Sequence, residues 1–153
     1  MDIKTRFGGS GWAVCAAVLA TISIGSVAVA QDGATSASPC SNATLQGGYG
    51  FTIQGSQTVG GPLAGPVAGA AISFFDGQGG FTQHDAVMHN GTLVSGFESG
   101  SYLVDSDCSG QFTFLNAAGV PIRTGFVIDD GGKEIRTVVL NPGTTISSIG
   151  RKQ

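Results

Sequence analysis

Beyond residue 40 the chain alternates short apolar runs with turn signals rich in Gly, Asn and Asp. Several runs have a two-residue period, so that Phe112 and Phe114 share a face, as do Tyr102 and Val104. The pattern predicts strands at 47–54, 67–75, 80–89, 92–104, 110–115, 122–129, 133–140 and 144–150. Short strands joined by tight turns predict an all-β fold, which closes into an antiparallel barrel or stacks as a sandwich. We favour an eight-stranded antiparallel barrel, a calycin-like meander.

A Gly-rich segment at 59–66 interrupts this pattern. It is too short to link two domains, and it predicts a mobile loop at one mouth of the barrel.

The N-terminus has the features of a secretory signal peptide. Lys4 and Arg6 precede an uncharged apolar stretch at 12–29, and Ala28-Val29-Ala30 places small residues before Gln31. The alternative is an uncleaved membrane anchor, but Thr, Ser and Gly weaken the apolar stretch and no stop-transfer charges follow it. We predict cleavage after residue 30 and export to the periplasm or the extracellular space.

The predicted domains are a signal peptide at 1–30, a flexible leader at 31–39 and a barrel at 40–153. Cleavage would leave 123 residues with five basic and nine acidic side chains, a net charge of −4. This charge argues against a nucleic-acid partner. We expect no stable membrane insertion after cleavage.

Two cysteines remain after cleavage, Cys40 and Cys108. In an oxidising compartment such a pair usually forms a disulfide, which here would close a loop of 68 residues. The alternative is a pair of free thiols at a redox or metal site, but no Cys-x-x-C spacing supports it.

Five segments carry a resemblance to a known family. They lie at 40–49, 75–80, 100–110, 131–136 and 143–153. Together they resemble small secreted bacterial proteins with an allene oxide cyclase-like β-barrel. The resemblance implies an eight-stranded barrel with a central cavity, but it carries over no catalytic residue, and fold alone does not define function.

Glu98 is the first candidate for chemistry. In an unbroken strand Glu98 shares a face with Tyr102 and Val104, so that an interior position for these two residues makes Glu98 interior as well. A carboxyl group there would have a raised pKa and could act as a general acid or base. If the protein is an enzyme, the polar group that carries the reaction would be Glu98 or Tyr102. Alternatively, a bulge at Gly96 or Gly100 turns Glu98 to solvent.

His84 and His89 lie five residues apart, so they face opposite sides of a regular strand. Asp85 shares a face with His89, but two ligands do not make a metal site. We predict no metal and no cofactor.

Aromatic residues recur at two-residue spacing. Tyr49, Phe51, Phe112, Phe114 and Phe126 would suit a flat apolar ligand if they lined a cavity. The alternative is a small barrel that fills its interior with these rings.

Three functional hypotheses follow. The first is non-catalytic binding of a small apolar ligand or surface component, and the second is a cofactor-free cyclase or isomerase acting in the cavity. The third is a structural module that forms a homo-oligomer, because strand 133–140 carries apolar residues on both faces, Val138 and Leu140 opposite Ile135 and Val139.

Overall fold

Eight antiparallel strands of the computed structural model pair with their chain neighbours, and the last pairs with the first to close a barrel. The structure describes residues 39–153. The strands are β1 (Gln46–Gln57), β2 (Gly65–Asp76), β3 (Gly80–His89), β4 (Thr92–Val104), β5 (Ser109–Leu115), β6 (Pro121–Asp129), β7 (Glu134–Val139) and β8 (Ser147–Lys152). Single 3-10 turns lie at Asn42–Thr44, Gly61–Leu63 and Asp130–Gly132. The predicted signal peptide and almost all of the predicted leader lie outside the described residues.

The predicted fold class is confirmed, and the main differences lie at strand ends. β2 begins at Gly65 rather than at residue 67, and β8 begins at Ser147 rather than at residue 144. Pro142 and Gly143 form a turn, after which Thr144 makes only an isolated bridge to Gln57. Among residues 39–153, no helix is long and apolar enough to cross a membrane.

One end of the barrel, which we call the closed end, is covered by residues 40–45. Leu45 is completely buried there, and the single Tyr102 hydroxyl proton is shared between the carbonyl oxygens of Asn42 and Leu45, at 3.1 and 3.0 Å. The sulfur atoms of Cys40 and Cys108 lie at bonding distance, with Cα atoms 5.0 Å apart. The predicted pairing is confirmed, and it ties the covering segment to the β4–β5 turn.

Aromatic rings fill the closed half of the interior. Phe75 contacts several rings, including Tyr102 at a centroid distance of 5.2 Å. Three rings lie over the glycine that faces them on the neighbouring strand: Phe81 over Gly100, Phe126 over Gly110 and Phe51 over Gly150. A Cβ at any of these glycines would collide with the ring above it, so the small residues make room for large ones.

The opposite end, which we call the open end, carries the loops at 58–64, 90–91, 116–120 and 140–146. The Gly-rich segment lies here, as predicted. Its 3-10 turn is held by the Gln57 side-chain amide, which donates to the Leu63 carbonyl oxygen at 2.9 Å, and by Asn90, which donates to the Pro62 carbonyl oxygen at 3.3 Å.

Candidate functional site

The open end contains a cavity of about 170 Å3. Its walls are largely apolar and include Val67, Val87, Val94 and Ile146, while its polar groups include Asp85 and Glu98. The cavity continues into a wider mouth of about 610 Å3, with which it shares Val94 and other wall residues. The sequence allowed either a filled interior or an open one. In the structure the closed half is filled and the open half contains the cavity.

The β3–β4 hairpin positions both acidic side chains. Asn90 and Gly91 form its two-residue turn with φ angles of 47° and 84°, the left-handed conformation that such turns require. This turn sets a register in which Asp85 faces Gly96. Asp85 and Glu98 are thus diagonal neighbours on the inner face, a distance within reach of long side chains.

Glu98 is inside the barrel. β4 pairs with β3 without a bulge, and Glu98 is only 7% exposed, on the same face as Tyr102 and Val104. Its carboxyl group lies over Gly96, where a Cβ would collide with Oε1 and lie 3.3 Å from Cδ. Oε2 is buried and has no hydrogen-bond partner within residues 39–153. Burial raises the pKa of Glu98, and the negative charge of Asp85 raises this pKa further.

Asp85 is half-buried and belongs to a short polar chain along the inner wall. The Ser73 hydroxyl donates to Gln83 Oε1 at 3.0 Å, and Gln83 Nε2 lies 3.5 Å from Asp85 Oδ2, at the limit of a hydrogen bond. Burial raises the pKa of Asp85, and hydrogen bonds from the Gly96 backbone and from Gln83 oppose this shift only in part. Two adjacent carboxyl groups therefore both favour their protonated forms more than exposed carboxyl groups do.

The two histidines face opposite sides of β3, as their spacing predicts. His84 is exposed on the outside, whereas His89 lines the cavity and the mouth. His89 Nδ1 is buried without a hydrogen-bond partner in the described part of the chain. Within that same part, no three His, Cys, Asp or Glu side chains are grouped so that they could hold a metal ion.

The predicted aromatic residues are divided between the two halves. Phe114 lines the cavity, and Phe51 and Phe112 line a smaller pocket of about 70 Å3 at mid-barrel. Tyr49 and Phe126 belong to the buried core and line neither space.

Tyr102 also lies in the closed half, away from the cavity. Its hydroxyl is held by the segment that covers the closed end, and burial raises its pKa. It lies four positions along β4 from Glu98, about 13 Å of extended chain. The structure therefore places the two candidate polar groups in different halves of the barrel, with only Glu98 on the cavity wall.

Asp85, Val94 and the mouth residue Asn116 were not among the predicted site residues. The position of Asp85 could have been inferred from the sequence, because Phe81, Asp85 and His89 share a face and the Asn90-Gly91 turn sets the register with β4. Asn116 lies in the β5–β6 loop, and nothing in the local pattern indicates that this loop turns toward the cavity.

β7 has apolar groups on both faces, as its alternation predicts. Ile135 is buried in the core, whereas Val138 and Leu140 are 47% and 45% exposed. Together with Val127 they line a shallow groove on the outside of the barrel, above Gly125.

No family model matches this chain, and neither a curated protein nor a solved structure matches it.

Proposed function

We propose that this is an exported, non-catalytic protein that binds a small, largely apolar ligand in the open end of its barrel. The observation that carries the proposal is the uneven filling of the interior. Aromatic rings occupy the closed half, while the open half contains about 170 Å3 of space beneath a mouth of about 610 Å3. An apolar cavity of about 150 Å3 accommodates a benzene-sized molecule, so a ligand with one ring fits.

Export is supported by the paired sulfur atoms of Cys40 and Cys108, because disulfides persist in oxidising compartments. The resemblance to allene oxide cyclase-like secreted proteins agrees with a closed eight-stranded barrel. Mass spectrometry of the exported protein tests this part of the proposal, and we expect a mature chain that begins at Gln31. A chain that keeps its first residues in the membrane fraction contradicts it.

Binding can be tested by an NMR titration with 3-phenyl-1-propanol, a neutral one-ring probe. We expect saturable shifts at amides around Val87, Val94 and Ile146. Val94→Trp fills the cavity and should abolish these shifts. Leu93→Trp is the matched control, because Leu93 is the neighbouring residue and is 61% exposed on the outside. Undiminished binding to Val94→Trp, or shifts confined to the outer surface, would refute the proposal.

Catalysis without a cofactor is the second candidate. It is favoured by the raised pKa values of Asp85 and Glu98, since a raised pKa brings a carboxyl group closer to the pH range in which it can exchange a proton with a bound ligand. A cyclisation or isomerisation would use Glu98 as the general acid or base. Glu98→Gln should then abolish turnover while leaving binding intact, and retained turnover would eliminate Glu98 from the reaction.

Self-association is the third candidate, favoured by the exposed apolar pair Val138 and Leu140 beside Val127. Size-exclusion chromatography with light scattering tests it directly. We expect an oligomer that Val138→Lys dissociates, and a strict monomer would count against this function.

A further inference from the structure

Of the Asp, Glu, Lys and Arg side chains in the described residues, only acidic ones line the cavity and its mouth. Asp85 and Glu98 line the cavity, with His89 as the remaining titratable group of its wall. The five Lys and Arg residues within residues 39–153 line neither the cavity nor the mouth. A ligand therefore meets two carboxyl groups and one imidazole, and no lysine or arginine side chain from the described part of the chain.

Glu98 is prepared for a hydrogen-bond donor that the described residues do not supply. Glu98 lines the cavity and is 7% exposed, and its Oε2 atom is buried without a partner among residues 39–153. Buried polar atoms in native proteins are nearly always paired, so an orphaned one points to a missing partner. The Glu98 carboxyl group occupies the space that Gly96 leaves by having no side chain, and Gly96 pairs with Asp85 on the neighbouring strand.

We infer that the ligand of this cavity is an apolar amine, whose ammonium group binds between the carboxylates of Glu98 and Asp85. The inference rests on the proposed binding function and adds the chemical class of the ligand. An ammonium group has three donors and no acceptor, which matches two adjacent carboxylates. A carboxylate ligand would instead place a third negative charge in the same buried space, where repulsion is strong. A metal ion would need more ligands than these two side chains.

Three probes with the same hydrocarbon part separate these possibilities. They are 3-phenylpropylamine, 3-phenyl-1-propanol and 3-phenylpropionate, each titrated into the purified protein at pH 7 and followed by NMR. We expect the amine to bind at least about tenfold more tightly than the alcohol, because a hydrogen bond to a charged group adds about that much to the affinity. The propionate should bind more weakly than the alcohol.

Variants identify the side chain that gives the amine its advantage over the alcohol. Glu98→Gln should reduce the advantage of the amine over the alcohol to less than about threefold while the affinity for the alcohol is kept. Glu134→Gln is the matched control, because Glu134 lies at the closed end, paired with Arg136 and Arg151, and should leave the advantage unchanged. If Glu98→Gln disturbs the fold, Asp85→Asn provides the same test.

The outcomes separate the inference that the ligand is an amine from the proposal that the cavity binds an apolar ligand at all. Binding of the alcohol with no advantage for the amine overturns the inference and leaves apolar ligand binding intact. Preference for the propionate, or an amine advantage that survives both Glu98→Gln and Asp85→Asn, also overturns it. If no probe binds, the inference and the binding function fail together.

Discussion

The buried carboxyl group of Glu98 should make the stability of the barrel fall as the pH rises. Burial raises the pKa of Glu98, so the folded protein binds this proton more tightly than the unfolded chain does. The resulting stabilisation is fully present below the unfolded pKa of about 4.3 and is lost as the pH rises through the folded pKa. Glu98→Gln replaces the titrating group with a neutral amide of similar shape, so the variant should lack this part of the decrease.

The size of the effect follows from the surroundings of the carboxylate. A buried polar group without a partner costs about 1–3 kcal/mol, and a charged one costs more. Glu98 is 7% exposed, but it lies on the wall of a cavity that opens through the mouth, so water reduces the cost. We therefore expect Glu98→Gln to stabilise the protein by about 1 kcal/mol at pH 7, which raises Tm by roughly 4 °C for a domain of this size. Below about pH 4 the two proteins should differ little, because the native carboxyl group is then protonated in both states.

Urea denaturation from pH 4 to pH 8 measures this difference directly. The control is Glu134→Gln, which removes an acidic side chain that lies 3.0 Å from Arg136 and 3.3 Å from Arg151 on the outside of the barrel. Because that carboxylate is paired with cations, its loss should be neutral or slightly destabilising, opposite in sign to the loss of Glu98. Parallel stability curves for the native protein and Glu98→Gln across this range would refute the reasoning, since they would mean that Glu98 titrates as it does in the unfolded chain.

Three further predictions concern the closed half. Gly100→Ala should lower the free energy of unfolding by about 1–3 kcal/mol in urea, because a Cβ there would collide with the Thr113 carbonyl oxygen and lie 2.7 Å from the Phe81 ring. Gly125→Ala, where the nearest atom is 3.5 Å away, should change the free energy of unfolding little, and equal effects of the two variants would contradict this account. Tyr102→Phe should cost about 1–2 kcal/mol, because it removes the hydroxyl proton shared by two carbonyl oxygens, and it should leave probe affinity unchanged. A loss of binding without a loss of stability would instead place Tyr102 in the site. Reducing the Cys40–Cys108 pair, 68 residues apart, should lower stability by about 4 kcal/mol in the loop-entropy model, and an unchanged urea midpoint would argue against the disulfide.

Much of the strand pattern could be predicted from local sequence because its signals are local. Alternation identifies the strands, and Gly, Asn and Asp mark the turns that separate them. The strongest case is the β3–β4 hairpin, where the Asn90-Gly91 turn sets the register and thereby the diagonal placement of Asp85 and Glu98. Asp85 was missed as a site residue although these signals were present.

The interior position of Glu98 required the tertiary structure. Local sequence allowed either an unbroken strand or a bulge at Gly96 or Gly100, and these place the side chain on opposite faces. In the structure neither glycine forms a bulge, and each provides space for a side chain. Gly100 lies beneath the Phe81 ring, and Gly96 leaves room for the carboxyl group of Glu98 itself.

The sequence by itself therefore determined the strands, most turns and which residues share a face. Only the tertiary structure decided which half of the barrel is filled. That division depends on the pairing of β1 with β8 and on residues 40–45, which cover one end through Leu45 and the bond to Cys108. These contacts join residues far apart in the chain, and a two-residue period contains no information about them. The same period marks Tyr102 and Glu98 alike as interior, yet one supports the closed end and the other lines the cavity.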